Sequence, residues 1–139
     1  MQPVEAPEKV VSRGISLGKK TILIVDDEEM ILNVGKKMLE KMSHNVFAAR
    51  SGKEAIKIFE AEKHRIDLVV LDMIMPEMGG KETFERIREI DPDVKILISS
   101  GYSLGENTAE ILERGGSGFI QKPFTMMELA QKIRDLFLK

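Results

Sequence analysis

Residues 67–80 read DLVVLDMIMPEMGG, and this stretch decides the fold class. A short, continuously apolar run leads into an aspartate, and a turn with one proline and two adjacent glycines follows it. Apolar runs of about four to eight residues, bounded by turn residues, are typical of strands that are buried on both faces of a parallel sheet. Such strands require helices on both faces of the sheet, so the stretch predicts an α/β protein.

Similar short apolar runs lie on both sides of this stretch, and amphipathic segments separate them. The strict alternation predicts a three-layer αβα sandwich around a five-stranded parallel sheet with right-handed crossovers. The predicted strands are Thr21–Val25, Asn45–Ala49, Asp67–Leu71, Val94–Ser99 and Gly118–Gln121.

The segments between the strands carry helix signals. Thr125, with Glu128 three residues later, forms a capping box ahead of the last helix, and Gly115 and Gly116 close the fourth helix. The first helix has an apolar stripe at four-residue spacing, and such stripes are more often core than binding surface. We therefore expect this stripe to be buried; it comprises Met30, Ile31, Val34, Met38, Leu39 and Met42.

Charge and composition narrow the function classes. The 139-residue chain carries 21 basic and 23 acidic residues, a formal net charge of −2, which argues against direct nucleic-acid binding. The absence of cysteine excludes disulfides, thiol catalysis, cysteine–zinc sites and iron–sulfur clusters. Membrane-span and signal-peptide patterns are missing, so we expect a cytoplasmic protein without membrane insertion. Residues 1–19 show no sustained period and predict a flexible arm or linker, which leaves residues 20–139 as one domain.

Polar residues stand at the carboxyl ends of the predicted strands, where open α/β sheets bind their ligands. Taken singly, each has an ordinary explanation as a helix cap, a turn residue or a solvated side chain. Several acids and one lysine at a single edge, however, require a cation and an anion together, because unpaired buried charges are costly. The residues are Asp26, Asp27, Asp72, Ser99, Ser100 and Lys122.

Phosphoryl transfer to a carboxylate fits this set of side chains. Asp72 is the candidate nucleophile and forms an acyl phosphate. Asp26 and Asp27 hold Mg²⁺, a hard ion that prefers a few carboxylates, waters and phosphate oxygens. Lys122 is a compact positive charge that pairs with Asp72 or with the phosphoryl oxygens, and the Ser100 hydroxyl donates to a phosphoryl oxygen. His44 and His64 lie away from this edge.

Four segments resemble the receiver domain of two-component response regulators, of the chemotaxis-regulator type, over about residues 20–139. They read ILIVDDEE, DLVVLDMIMPEMGG, ILISSGY and FIQKPF, in the order and spacing of that family. The resemblance implies a sheet order of 2-1-3-4-5, and a phosphoryl group that Asp72 accepts from a histidine kinase or a phosphotransfer protein. It also implies that the fourth helix, fifth strand and fifth helix form the face that contacts a downstream protein.

The same resemblance assigns the metal ligands. Asp27 and the backbone carbonyl of Ile74 then bind Mg²⁺ directly together with Asp72, whereas Asp26 acts largely through a metal-bound water. These roles come from the family and not from the spacing of the acids.

The resemblance also implies a conformational switch. Ser100 is its hydroxyl residue, which leaves Ser99 as the last residue of the fourth strand, and Phe119 occupies the position of the family's switch aromatic. The Lys122–Pro123 peptide bond is expected to be cis, as in similar receivers.

Two other functions compete with a signalling module on this fold. A phosphatase of the haloacid-dehalogenase type needs a second acid two residues after its aspartate nucleophile, where this chain has Ile74. A flavodoxin-like FMN carrier needs a hydroxyl- and glycine-rich loop after the first strand, where the acids of residues 26–29 repel phosphate. The preferred interpretation is a phosphoacceptor that is no enzyme beyond its own Mg²⁺-dependent phosphorylation and dephosphorylation. It is either a stand-alone receiver or the receiver of a hybrid sensor kinase.

Overall fold

The structure, a computed structural model, describes residues 18–101 and 106–138. Most of the predicted arm lies outside these residues, so its boundary stays a prediction. The strands are β1 (Thr21–Val25), β2 (Asn45–Ala49), β3 (Leu68–Asp72), β4 (Lys95–Ser100) and β5 (Gly118–Gln121). The helices are α1 (Glu29–Lys41), α2 (Gly52–Glu62), α3 (Gly80–Ile90), α4 (Glu106–Glu113) and α5 (Met126–Leu138).

The five strands form one parallel sheet in the order β2-β1-β3-β4-β5, which confirms the predicted architecture and strand order. Side chains alternate between its two faces. Leu23 and Val25 of β1 belong to a core with α2, α3 and α4, whereas Ile22 and Ile24 belong to a second core with α1 and α5. Both faces are covered, which explains why the central strands read as uninterrupted apolar runs.

Two strands lie one residue later than predicted. The Asp67 carboxylate accepts a hydrogen bond from the Thr21 backbone N–H at 2.8 Å, so Asp67 precedes β3 and binds the start of β1. Asp72 then pairs with Ser99 in the ladder. Ser100, and not Ser99, is the last residue of β4, because its carbonyl still accepts a bond from Lys122 N–H beside β5.

The expectation that the α1 stripe is buried is wrong for two of its residues. Met30 is 81% exposed and Val34 is 52% exposed. Leu39 is buried as predicted, together with Leu32 and Gly35. A Cβ on Gly35 would lie 2.5 Å from the end of the Ile24 side chain, so the missing side chain lets α1 rest closely on β1. The buried stripe is therefore rotated away from Met30 and Val34.

The predicted caps are confirmed where the structure describes them. Thr125 and Glu128 exchange two hydrogen bonds ahead of α5. Gly115 follows α4 with a positive φ of 113°, and the Gly116 N–H donates to Ile111 O at 2.9 Å. Ser51 in addition accepts the Glu54 N–H at the start of α2. Within the described part of the chain, no helix combines the length and the apolar composition that crossing a membrane requires.

Candidate functional site

Three carboxylates meet at the carboxyl edge of the two central strands. Asp26 follows β1 and is 3% exposed, and Asp72 ends β3 and is 2% exposed. Asp27 is exposed beside them. One oxygen from each side chain lies within 4.8 Å of the others, which is close enough for a single divalent ion to bind all three. The predicted acidic cluster is thus present.

Lys122 joins the two buried acids. Its Nζ lies 3.0 Å from Asp26 Oδ2 and 3.2 Å from Asp72 Oδ1, and its side chain is 11% exposed. The sequence predicted the contact with Asp72 but not the contact with Asp26. The Lys122–Pro123 peptide is cis, as the family resemblance implies.

The surroundings of Asp72 disfavour the ionised form of its carboxyl group. Burial raises its pKa from 3.8 to about 6, and the negative charge of Asp26 adds to the rise. The ammonium of Lys122 and the N–H of Ile74 act in the opposite direction but do not cancel it. Burial also works to lower the pKa of Lys122, but its hydrogen bond to Asp26 and the charge of Asp72 outweigh burial and raise that pKa. Lys122 is therefore a permanent cation.

A glycine fixes the backbone of Asp72. Gly80 begins α3, and its N–H donates to Met73 O at 3.0 Å. A Cβ there would lie 2.7 Å from Asp72 O and 2.6 Å from Met73 Cα, so any larger residue would displace the end of β3. The paired glycines of the motif therefore serve a close contact as well as a turn.

The proposed switch residues lie on neighbouring strands. Ser100 is buried at the end of β4 and is opposite Gln121 of β5. Phe119 is half-buried, is opposite Ile98, and packs against the core on the α2–α4 side. Residues 102–105 lie outside the described residues. Phe119 lies on β5 as predicted, whereas Ser100 is the last residue of β4 and does not follow that strand. The switch roles of Ser100 and Phe119 stay predictions.

An open, largely apolar groove of about 760 Å³ adjoins the acidic cluster. The sequence does not predict this groove, because apolar residues at the four-residue spacing of α1 are more often core than binding surface. Exposed apolar side chains at four-residue spacing were the available signal, and only the structure shows which of them face outward. Its lining includes Asp27, Met30, Val34, Asp72, Ile74 and Phe124.

Comparison with known protein families decides the identity of this fold. The family model of the response regulator receiver domain matches residues 22–134. The chain belongs to the receiver family. It is 34% identical over 138 residues to the sensor kinase CckA of Brucella abortus, and 39% identical over 115 residues to the transcriptional regulatory protein YvrH of Bacillus subtilis. These matches cover 99% and 82% of this chain, but only 15% and 47% of the two relatives.

Solved receiver structures agree with this assignment. A response regulator receiver domain protein from Clostridium thermocellum has a TM-score of 0.81 and 30% identity, and the match covers 86% of this chain and 94% of that one. The structure of the CheX–CheY–BeF3–Mg²⁺ complex from Borrelia burgdorferi matches with a TM-score of 0.82 and 26% identity. This match covers 86% of this chain and 90% of that one. Receivers of two-component systems are phosphoacceptor modules. Membership of this family therefore supports a signalling module over a phosphatase or an FMN carrier.

Proposed function

We propose that this receiver accepts a phosphoryl group on Asp72 from a phosphohistidine of a histidine kinase or phosphotransfer protein. The observation that carries the proposal is the buried Asp72 carboxylate, 3.2 Å from Lys122 Nζ and beside two further acids. A carboxylate oxygen of Asp72 forms the new bond to phosphorus while the N–P bond of the donor breaks, and the imidazole leaves with the bonding electrons and is protonated. Catalysis of such a step is mainly positioning and charge stabilisation.

The donor set fits Mg²⁺. Both oxygens of Asp26 are already engaged, one by the Glu28 N–H at 2.9 Å and the other by Lys122. Asp27 and Asp72 are therefore the better direct ligands, with the Ile74 carbonyl as a third and Asp26 acting through water. When bound, Mg²⁺ offsets the negative charge of the carboxylates and of the incoming phosphoryl group. Lys122 offsets part of the negative charge of Asp26 and Asp72.

Mg²⁺ should raise the melting temperature of the receiver by several degrees, because it binds a cluster of like charges in the folded state only. Asp27→Ala should lose most of this shift. Asp93→Ala is the matched control, since Asp93 is an exposed acid two residues before β4, and it should keep the full shift. The measurement is thermal unfolding with and without Mg²⁺. An equal shift in the Asp27→Ala protein would place the metal elsewhere.

The groove gives a phosphodonor its route to Asp72. Ile74 is 60% exposed. It lines the groove together with Met30 and Val34 and with two acids of the cluster, Asp27 and Asp72. An apolar surface beside a reactive carboxylate suits a protein donor that excludes water while the phosphoryl group moves. The module acts on itself and has no other enzymatic activity in this proposal. A cytoplasmic location, no direct contact with nucleic acid, and a place either alone or within a hybrid kinase stay predictions.

The proposal continues with the output of the signal. The phosphoryl group draws the Ser100 hydroxyl toward it, and Phe119 moves into the space that is vacated. A ligand of this kind favours one of two pre-existing states. The face of α4, β5 and α5 then differs between the two states and contacts a downstream protein.

Ser100→Ala should still be phosphorylated at Asp72, but it should lose most of the response at residues 101–125. The check is the change in amide NMR shifts on adding beryllofluoride, which mimics the acyl phosphate. Ser99→Ala is the matched control, because the adjacent side chain points to the opposite face of the sheet. Full-size shifts in the Ser100→Ala protein would rule out the hydroxyl as the relay.

A further inference from the structure

A buried histidine lies at the amino edge of the sheet, at the end opposite to Asp72. His44 stands in the turn between α1 and β2 and is 8% exposed. Its Nδ1 accepts a hydrogen bond from the Lys20 backbone N–H at 3.0 Å. The backbone N–H of the same residue donates to Leu39 O of α1 at 3.1 Å. His44 therefore contacts α1 through its backbone and the residue that precedes β1 through its imidazole.

This bond extends the β1–β2 ladder by one step. The Asn45 N–H donates to Lys20 O at 2.9 Å, and the ladder continues with Thr21 opposite Asn45. The next group along the edge is His44 Nδ1, which takes the place of a backbone carbonyl as the acceptor for Lys20. Only the neutral imidazole has a lone pair on this nitrogen, because both ring nitrogens are donors in the cation.

Two charged side chains act on the imidazole in opposite directions: the Lys20 ammonium disfavours the cation, and the Asp67 carboxylate favours it. The Lys20 ammonium comes from the start of β1 and lies 4.6 Å from the centre of the Phe137 ring of α5. The Asp67 carboxylate comes from the start of β3, but it already accepts the Thr21 N–H. Burial lowers the pKa of His44 from its ordinary 6.5, the Lys20 charge lowers it further, and Asp67 opposes both only in part.

We propose that His44 is a proton-sensitive clasp that fixes the point at which the chain enters β1 and that opens when its imidazole is protonated. Protonation turns Nδ1 from an acceptor into a donor, so that two donors face each other and a positive charge stands at a buried position. Lys20 then loses one of its two backbone hydrogen bonds. The device is independent of phosphorylation, since it lies at the other edge of the sheet.

The sign of the pH dependence follows from the lowered pKa. At pH values between the folded-state and the unfolded-state pKa of His44, the unfolded chain binds more protons than the folded one. The free energy of unfolding therefore rises with pH in this range. The contribution of His44 is complete above pH 6.5 and is lost as the pH falls through the folded value. The contribution of His44, taken alone, therefore destabilises the folded receiver in mild acid.

Thermal unfolding of three proteins from about pH 7.5 to about pH 5 tests the clasp. His44→Asn is the test variant, because its side-chain carbonyl occupies nearly the place of Nδ1 and accepts a hydrogen bond without titrating. His64→Asn is the control, since His64 is exposed beyond the end of α2. The wild type and the His64→Asn protein should lose several degrees more than the His44→Asn protein over this range. Groups that titrate elsewhere, Asp72 included, cancel in this comparison.

A second measurement does not depend on the variants. Ring proton NMR of the wild type should show that the His44 imidazole titrates clearly below its ordinary pKa of 6.5. Exchange of the Lys20 amide, corrected for intrinsic rates, should accelerate with this titration. If the His44 ring titrates at 6.5 or above, or if His44→Asn and His64→Asn show the same pH dependence, the clasp does not exist.

Discussion

Asp72→Asn should abolish the Mg²⁺-dependent gain of one phosphoryl group when the receiver is treated with acetyl phosphate. The amide has nearly the shape of the carboxylate but lacks the nucleophilic oxygen anion. The measurement is intact mass with and without Mg²⁺, followed by hydroxylamine, which cleaves acyl phosphates. The loss should be complete, because no other acid of the cluster adjoins both the Lys122 ammonium and the groove to the same extent.

Asp93→Asn provides the matched control for this experiment. It makes the same chemical change at an exposed acid near the amino edge of the sheet and should leave phosphorylation unchanged. A hydroxylamine-labile, Mg²⁺-dependent phosphoryl group on the Asp72→Asn protein would contradict the assignment of Asp72. Persistence of a mass gain that hydroxylamine does not remove would instead indicate modification at another type of side chain.

The same substitution should stabilise the folded receiver in the absence of Mg²⁺. The pKa of Asp72 is raised from 3.8 to about 6 by burial and by the charge of Asp26. The folded state therefore binds the proton more tightly, and stability falls as the pH rises from about 4 to above 6. This difference corresponds to about 3 kcal/mol. A neutral amide does not have the free-energy cost of a buried, ionised carboxylate. Asp72→Asn should therefore gain about 2–3 kcal/mol in unfolding free energy near pH 7.5.

Urea unfolding of the metal-free proteins across this pH range tests the second prediction. The Asp72→Asn protein should show a flatter pH dependence than the wild type, and Asp93→Asn should follow the wild type. Added Mg²⁺ should narrow the gap at high pH, because the ion offsets the charge that the amide removes. Equal or lower stability of Asp72→Asn near pH 7.5 would mean that Lys122 already compensates Asp72 in full.

These two expectations have a common physical origin. A carboxylate in a buried, acidic cluster is costly to keep ionised, and that cost can be relieved by a cation or by protonation. In the proposed function, the unfavourable charge of this cluster favours the binding of a metal ion, and the ion would in turn permit an anionic phosphoryl group to approach. Loss of function and gain of stability in one variant would show that the site is maintained at the expense of folding stability.

Several features of this receiver followed from the sequence alone. The alternation of apolar runs and amphipathic segments determined the sheet, because a strand covered on both faces cannot contain charged residues at alternate positions. Parallel strands bring their carboxyl ends to one edge, so Asp26, Asp72 and Lys122 could be placed together without coordinates. The capping box at Thr125 was equally predictable, since it is made within four residues.

Other features were decided only by tertiary packing. Periodicity identifies an apolar stripe on α1, but which side is covered depends on how closely the helix rests on β1, and Gly35 against Ile24 sets that distance. Met30 and Val34 are exposed for this reason. The bond between Lys122 and Asp26 spans 96 positions of sequence, and the bond between His44 and Lys20 spans 24. Contacts between residues so distant along the chain leave no local pattern, because they depend on how the strands are aligned in the folded sheet.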